Sequence, residues 1–241
     1  MVYTNIRNQL QQFISYFYKK RYEYTILADD EYYQRFGIEK DETGKFIVKD
    51  ENKEKLKFAY EKAWENRNFE IDKFWTRAAY FWGFIVLIFG GYLTVITNDK
   101  IKGVAANFLD LYLLSLGFLF SLAWFLVIRG SKCWQENWEN HIDWLENFVS
   151  GPIYKTVFYK QNRFYSVSKL NEVMSVVVII VWLALLSQTY SSRYDLSFNN
   201  IDYTPTITLV ITGLFTSIML FGYCLTDIYL KKDKGFIDRW E

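Results

Sequence analysis

The sequence predicts an all-α membrane protein: four transmembrane helices, a helical cytoplasmic N-terminal region, and an amphipathic cytoplasmic helix between spans 2 and 3. Three observations predict it. Four stretches with no charge or one charge each reach the roughly 20 residues that a spanning helix requires. Charge is concentrated outside them, with 29 of the first 77 residues charged. The chain of 241 residues is 51% apolar and 20% aromatic, which excludes disorder. Mean hydropathy is near zero only because a polar part and an apolar part are averaged.

Taken in order, the tail opens with Ile6, Leu10, Phe13, Ile14 and Phe17 at helical spacing beside Lys19, Lys20 and Arg21, an amphipathic helix that suits either the membrane surface or the protein's own helices. A short helical stretch follows near 30–36, then a turn signal at Asp41–Gly44 and a β-like run at 45–48, consistent with a small hairpin or an exposed loop. From Asn52 the periodicity is helical through Leu56, Tyr60, Ala63, Arg67, Ile71, Phe74, Trp75 and Ala78. No Gly or Pro separates it from the first uncharged run, 78–98, so one helix of about 45 residues and ~65 Å is expected to pass from cytoplasm into membrane.

The second span, 103–128, carries one charge, Asp110, placed about six residues from its outer end within reach of water, Lys100 or Lys102. In RGSKCWQENWENHIDWLENF, Trp134, Trp138, His141, Leu145 and Phe148 share one helical face, and Glu136, Glu139, Asp143 and Glu146 recur on another. Gly130 allows a bend, Gly151-Pro152 stops the helix, and Ser166 or Ser168 can cap the next one. The last two spans are 173–192 and 203–226. The organisation expected is therefore 1–76 cytoplasmic, 77–128 spans 1 and 2, 129–172 cytoplasmic and tryptophan-rich, 173–226 spans 3 and 4, and 227–241 a cytoplasmic tail.

Orientation follows from the densely charged tail ahead of the first span, which lacks the features of a secretory signal and is expected to stay in the cytoplasm with the C-terminus. Segments assigned inside hold 25 Lys/Arg in 136 residues against 3 in 22 outside, a weak contrast. The boundary residues argue more strongly: Lys73, Arg77, Arg129, Lys132, Lys169, Lys231, Lys232 and Lys234 sit at inner ends, beside aromatic residues such as Trp75, Trp82, Trp124 and Trp134.

Little in the chain suggests catalysis. His141 is the sole imidazole, and Cys133 and Cys224 form neither a CxxC nor a disulfide framework, so no catalytic residue, metal site or cofactor is expected. The acidic stripe invites a divalent-cation reading, but carboxylates spaced by three or four on one helix diverge too far to surround an ion unaided. A net charge of +1 offers nothing to nucleic acid. Phosphate-cradling glycine loops are missing, and no span is broken by proline as a solute carrier's would be. Small residues recur at packing intervals in Gly83 and Gly90, Gly117 and Ser121, and Gly213 and Ser217, serving contacts within the chain or between chains.

The strings FEIDKFWTRAAYFWGFI, RGSKCWQENWENHIDWLE, GPIYK and YSVSKLN resemble the RipA-like family of octameric small bacterial inner-membrane proteins. The resemblance covers about residues 60–190. It implies a homo-octamer in the bacterial cytoplasmic membrane and supplies no catalytic or ligand residue.

Three functions are therefore compared. The first is a non-enzymatic oligomeric ring acting as scaffold or stress-related factor, with Trp75, Arg77, Arg129, Trp134, Trp138, Glu139, His141 and Trp144 as the interface candidates. The second is a pore or depolarising effector with Asp110 as an acidic ring at its mouth. The third is a membrane adaptor that recruits a cytoplasmic protein through residues 1–60. The partners expected are membrane lipid, further copies of the chain and an unidentified cytoplasmic protein.

Overall fold

The computed structural model describes residues 22–23, 26–98, 108–158, 165–193, 203–221, 228–229 and 235–237. Among them are five helices, α1 (Asp29–Arg35), α2 (Lys53–Thr97), α3 (Leu109–Leu145), α4 (Val167–Arg193) and α5 (Tyr203–Phe221), and four short strands, β1 (Tyr22–Glu23), β2 (Ile38–Lys40), β3 (Phe46–Val48) and β4 (Ile228–Tyr229). The expected N-terminal amphipathic helix, Lys100 and Lys102, Cys224 and the basic residues 231–234 lie outside the described residues. The four helices α2 to α5 are long and apolar enough to cross a membrane. With 45 and 37 residues, α2 and α3 rise roughly 68 and 56 Å, well beyond a hydrocarbon core of about 30 Å.

The chain divides into two compact units. One comprises residues 1–19, 74–130 and 165–225, the other 20–73, 131–164 and 226–241. In the first, the apolar unit, α3 is the central helix: 44% of its apolar window is buried, against 17–22% for the others. Leu111, Leu114, Phe118 and Leu122 of α3 pack with Ile88 and Tyr92 of α2 and with Trp182 and Leu186 of α4. Gly117 lets this happen, because a Cβ there would stand 2.6 Å from Trp182 Cε2 and Cζ2. Phe74, Trp124 and Ile128 form a second cluster. On α5 the buried side chains are Pro205, Thr208 and Thr212. Thr208, Thr212 and Thr216 donate to the carbonyls four residues earlier at 2.9, 2.7 and 2.8 Å, so each hydroxyl is satisfied by its own helix.

The second, polar unit is built around Tyr32, Ile38, Leu56, Tyr60, Ala63, Ile142 and Leu145. Of the two readings of residues 41–48, the hairpin is present: β2 and β3 are antiparallel, with Ile38 opposite Val48 and Lys40 opposite Phe46. Its turn is held by Asp41 Oδ1, which accepts from Thr43 N at 2.8 Å, Thr43 Oγ1 at 2.6 Å and Lys45 N at 3.0 Å. Gly44 supplies the positive φ. β1 and β4 pair in parallel.

One boundary differs from expectation. α3 starts at Leu109 rather than near residue 103, which places Asp110 in the first helical turn, where a carboxylate meets the positive end of the helix dipole. Helical structure continues through Gly130, since one isolated glycine in a helix anchored by packing on both sides costs only about 1 kcal/mol.

Candidate functional site

The last third of α3 begins where the apolar run stops, at Arg129 and Lys132. Its side chains divide by helical face. Ile142 and Leu145 are fully buried, Trp138, His141 and Trp144 are half-buried, and Cys133, Trp134 and Glu136 are exposed.

His141 is enclosed by aromatic rings. Its ring centroid lies 4.4 Å from Phe236, 5.7 Å from Trp138 and 5.7 Å from Tyr32. Burial lowers its pKa from 6.5 to about 4, so the imidazole is neutral at pH 7. Burial also pushes Tyr32 far above its ordinary value, which keeps that hydroxyl protonated. Tyr32 Oη and His141 Nδ1 therefore share a 2.8 Å hydrogen bond between a protonated hydroxyl and a neutral imidazole. The imidazole's partner is a tyrosine at the heart of an aromatic cluster, a structural tie between α1 and α3.

A second network surrounds Arg67. Glu139 Oε1 accepts from Arg67 Nε at 3.3 Å and from Gln135 Nε2 at 2.8 Å, and its other oxygen lies 3.7 Å from Lys132 Nζ. The Arg67 guanidinium lies over both Trp64 and Tyr154, 5.5 and 5.4 Å from the ring centroids. Burial raises the Tyr154 pKa, and Glu139 adds to the shift.

Glu146 is the most deeply buried acid among the described residues, at 0% exposure. Its carboxylate accepts the backbone N–H of Tyr154 at 2.6 Å and of Lys155 at 3.1 Å, with Lys155 Nζ 4.0 Å away. Its backbone carbonyl accepts from Val149, Ser150 and Gly151. Helix end and Gly151-Pro152 turn are thus clamped by one residue, and Gly151 takes the positive φ that the turn requires.

The acidic stripe is therefore divided between separate duties. Glu139 belongs to Arg67 and Lys132, and Glu146 to the turn; among the described residues no group of three or more metal-ligating side chains converges.

Of the residues singled out from sequence, Glu139, His141 and Trp144 make their contacts within the chain. Trp144 lies edge-on to Tyr32 and to Phe236. Arg129 reaches Glu172 at 3.7 Å and covers Phe125, while remaining largely exposed. Trp75 and Trp134 are 44% and 37% exposed, and Arg77 is half-buried. Asp110 is 1% exposed. Sequence reasoning missed Tyr32, Arg67 and Glu146 as organising residues. For Arg67 the only available signal was its place on the apolar face of a helix, a position that demands a partner.

The family described as the octameric membrane protein family (8xMP) matches residues 57–191, which are 135 of the 241 residues and take in most of α2, all of α3 and nearly all of α4. No curated protein and no solved structure matches the chain.

Proposed function

Because the chain belongs to the octameric membrane protein family, we propose that eight copies assemble into a ring in a cytoplasmic membrane and act there as a non-enzymatic scaffold, with the polar unit on the cytoplasmic side. The family match over α2 to α4 carries this reading, since those helices hold both the spans and the tryptophan helix.

The division of the candidate residues supports it further. His141, Trp144 and Glu139 consolidate a single chain, whereas Trp75, Trp134 and Arg129 present large side chains at its surface. Trp and Arg on such a surface are the residue types that anchor interfaces. We assign Trp75, Arg77, Arg129 and Trp134 to subunit contacts, and Trp138, half-buried against His141, to the single chain. The cytoplasmic placement rests on Lys73, Arg77, Arg129 and Lys132 flanking the apolar windows of α2 and α3.

Conductance of the purified oligomer in a planar bilayer tests the scaffold reading, which expects silence. Reproducible single-channel openings, altered by Asp110→Asn, would replace it with a pore.

A further inference from the structure

The connection between the tryptophan helix and α4 has a charge of its own. Residues 147–171 carry Lys155, Lys160, Arg163 and Lys169 and no acidic residue, in a chain balanced overall at 28 Lys+Arg against 27 Asp+Glu. Six aromatic residues are interleaved with these cations. Lys160 and Arg163 lie outside the described residues and enter by their charge alone.

The described part of this connection in the polar unit, 151–158, turns large apolar side chains outward. Ile153, Val157 and Phe158 are 70%, 69% and 84% exposed. Their exposure belongs to a held loop: Glu146 accepts from the backbone N–H of Tyr154 and Lys155, and the Tyr154 ring packs edge-on against Trp64 at 5.4 Å and beneath the Arg67 guanidinium. Lys155 is exposed as well, its Nζ 4.0 Å from Glu146.

A membrane surface is within reach of this loop. Arg67, which covers Tyr154, precedes Arg77 by ten residues on the unbroken α2, about 15 Å of helix rise. Four residues of extended chain from Tyr154 to Phe158 cover up to ~13 Å. Phe158 can therefore reach the level of Lys73, Trp75 and Arg77, which flank the first apolar run, and α4 begins nine residues later at Val167.

We propose that the 153–158 loop is an interfacial anchor: Ile153, Val157 and Phe158 enter the headgroup region of the bilayer, and the cations of 147–171 bind anionic phospholipid. Exposed apolar side chains beside a span, among cations with no acid between them, match an anionic bilayer surface in both polarity and sign. A second copy of the same loop would bring cation against cation. The assignment holds for either face of the membrane and for any subunit number, so it does not rest on the scaffold reading.

Two measurements on the intact complex test it. In nanodiscs containing phosphatidylglycerol, a nitroxide at Phe158→Cys, with Cys133 and Cys224 replaced by serine, should collide with oxygen more than with a soluble nickel chelate, at a depth of about 5–10 Å. In detergent, native mass spectrometry with phosphatidylglycerol or phosphatidylcholine of identical acyl chains reads the charge. Replacing Lys155, Lys160 and Arg163 together by glutamine should lower retention of phosphatidylglycerol at least about tenfold and leave phosphatidylcholine unchanged. A label open to the nickel chelate overturns the proposal, because the loop then faces water. A label closed to both reagents overturns it as well, because a protein surface then covers the loop. Unchanged phosphatidylglycerol retention in the triple variant, at unchanged complex mass, overturns the assignment of the cations.

Discussion

Replacing Gly117 by alanine places a methyl group 2.6 Å from Trp182 Cε2 and Cζ2 and 2.7 Å from Cη2. Carbon pairs are comfortable at about 3.5–4.0 Å, so roughly 1 Å of relief is needed. The indole has little room to give it: Trp182 is 1% exposed and its ring packs edge-on against Phe89 at 5.3 Å. α3 and α4 must part instead, and overpacking of this kind costs about 1–3 kcal/mol. An alanine also gains up to about 1 kcal/mol in helix propensity. Gly83→Ala and Gly90→Ala carry the same gain, but their methyl groups meet nothing within 4 Å in the chain. The comparison with these controls therefore isolates the clash. At roughly 2–4 °C per kcal/mol for a chain of this size, the Gly117→Ala melting temperature should fall about 2–12 °C below the controls. Near-UV circular dichroism during heating in detergent reads this directly. Combining Gly117→Ala with Trp182→Leu should recover stability relative to the sum of the single changes, with a coupling of about 0.5–3 kcal/mol. A Gly117→Ala protein as stable as its controls would refute the packing described for α3 and α4.

Other outcomes are expected in the polar unit and at its surface. Glu146→Gln leaves one part-buried backbone N–H at residue 154 or 155 facing an amide donor and should cost about 1–3 kcal/mol, read as faster proteolysis at 151–158. His141 is the one imidazole and its pKa is lowered from 6.5 to about 4, so between those values the unfolded chain takes up a proton that the folded chain refuses. Its contribution to stability is present in full above pH 6.5 and is lost as pH falls toward 4, on the order of 3 kcal/mol in all. Proton NMR of the single imidazole should show no titration between pH 7 and 5, and a midpoint near 6.5 would contradict its burial. Trp134→Ala should weaken subunit association by about 2 kcal/mol or more, seen as dissociation on dilution, while leaving the Tyr32–His141 hydrogen bond and the fold of the single chain unchanged.

What could be read from sequence was what depends on neighbours along the chain. Uncharged runs marked all four spanning helices. The missing Gly and Pro between Asn52 and Ala78 foretold that α2 continues through its polar half, and Asp41 with Gly44 marked the hairpin turn. Contacts across the chain were not legible, because periodicity names a face and leaves its partner open. Tyr32 and His141 are 109 positions apart, and Arg67 and Glu139 are 72 apart. The small-residue pairs show the same division. Gly117 belongs to packing within the chain, against Trp182, whereas Gly83, Gly90 and Gly213 face open space in a single copy. Asp110 was visible as an isolated charge, but its burial in the first turn of α3 follows from where that helix begins.

The most direct measurement is the mass of the intact complex, by native mass spectrometry or mass photometry of protein released into detergent. Eight copies of a 28.9 kDa chain give about 231 kDa, and that value, persisting on dilution, is the result expected. A monomer or a dimer under conditions that preserve the fold would contradict the ring.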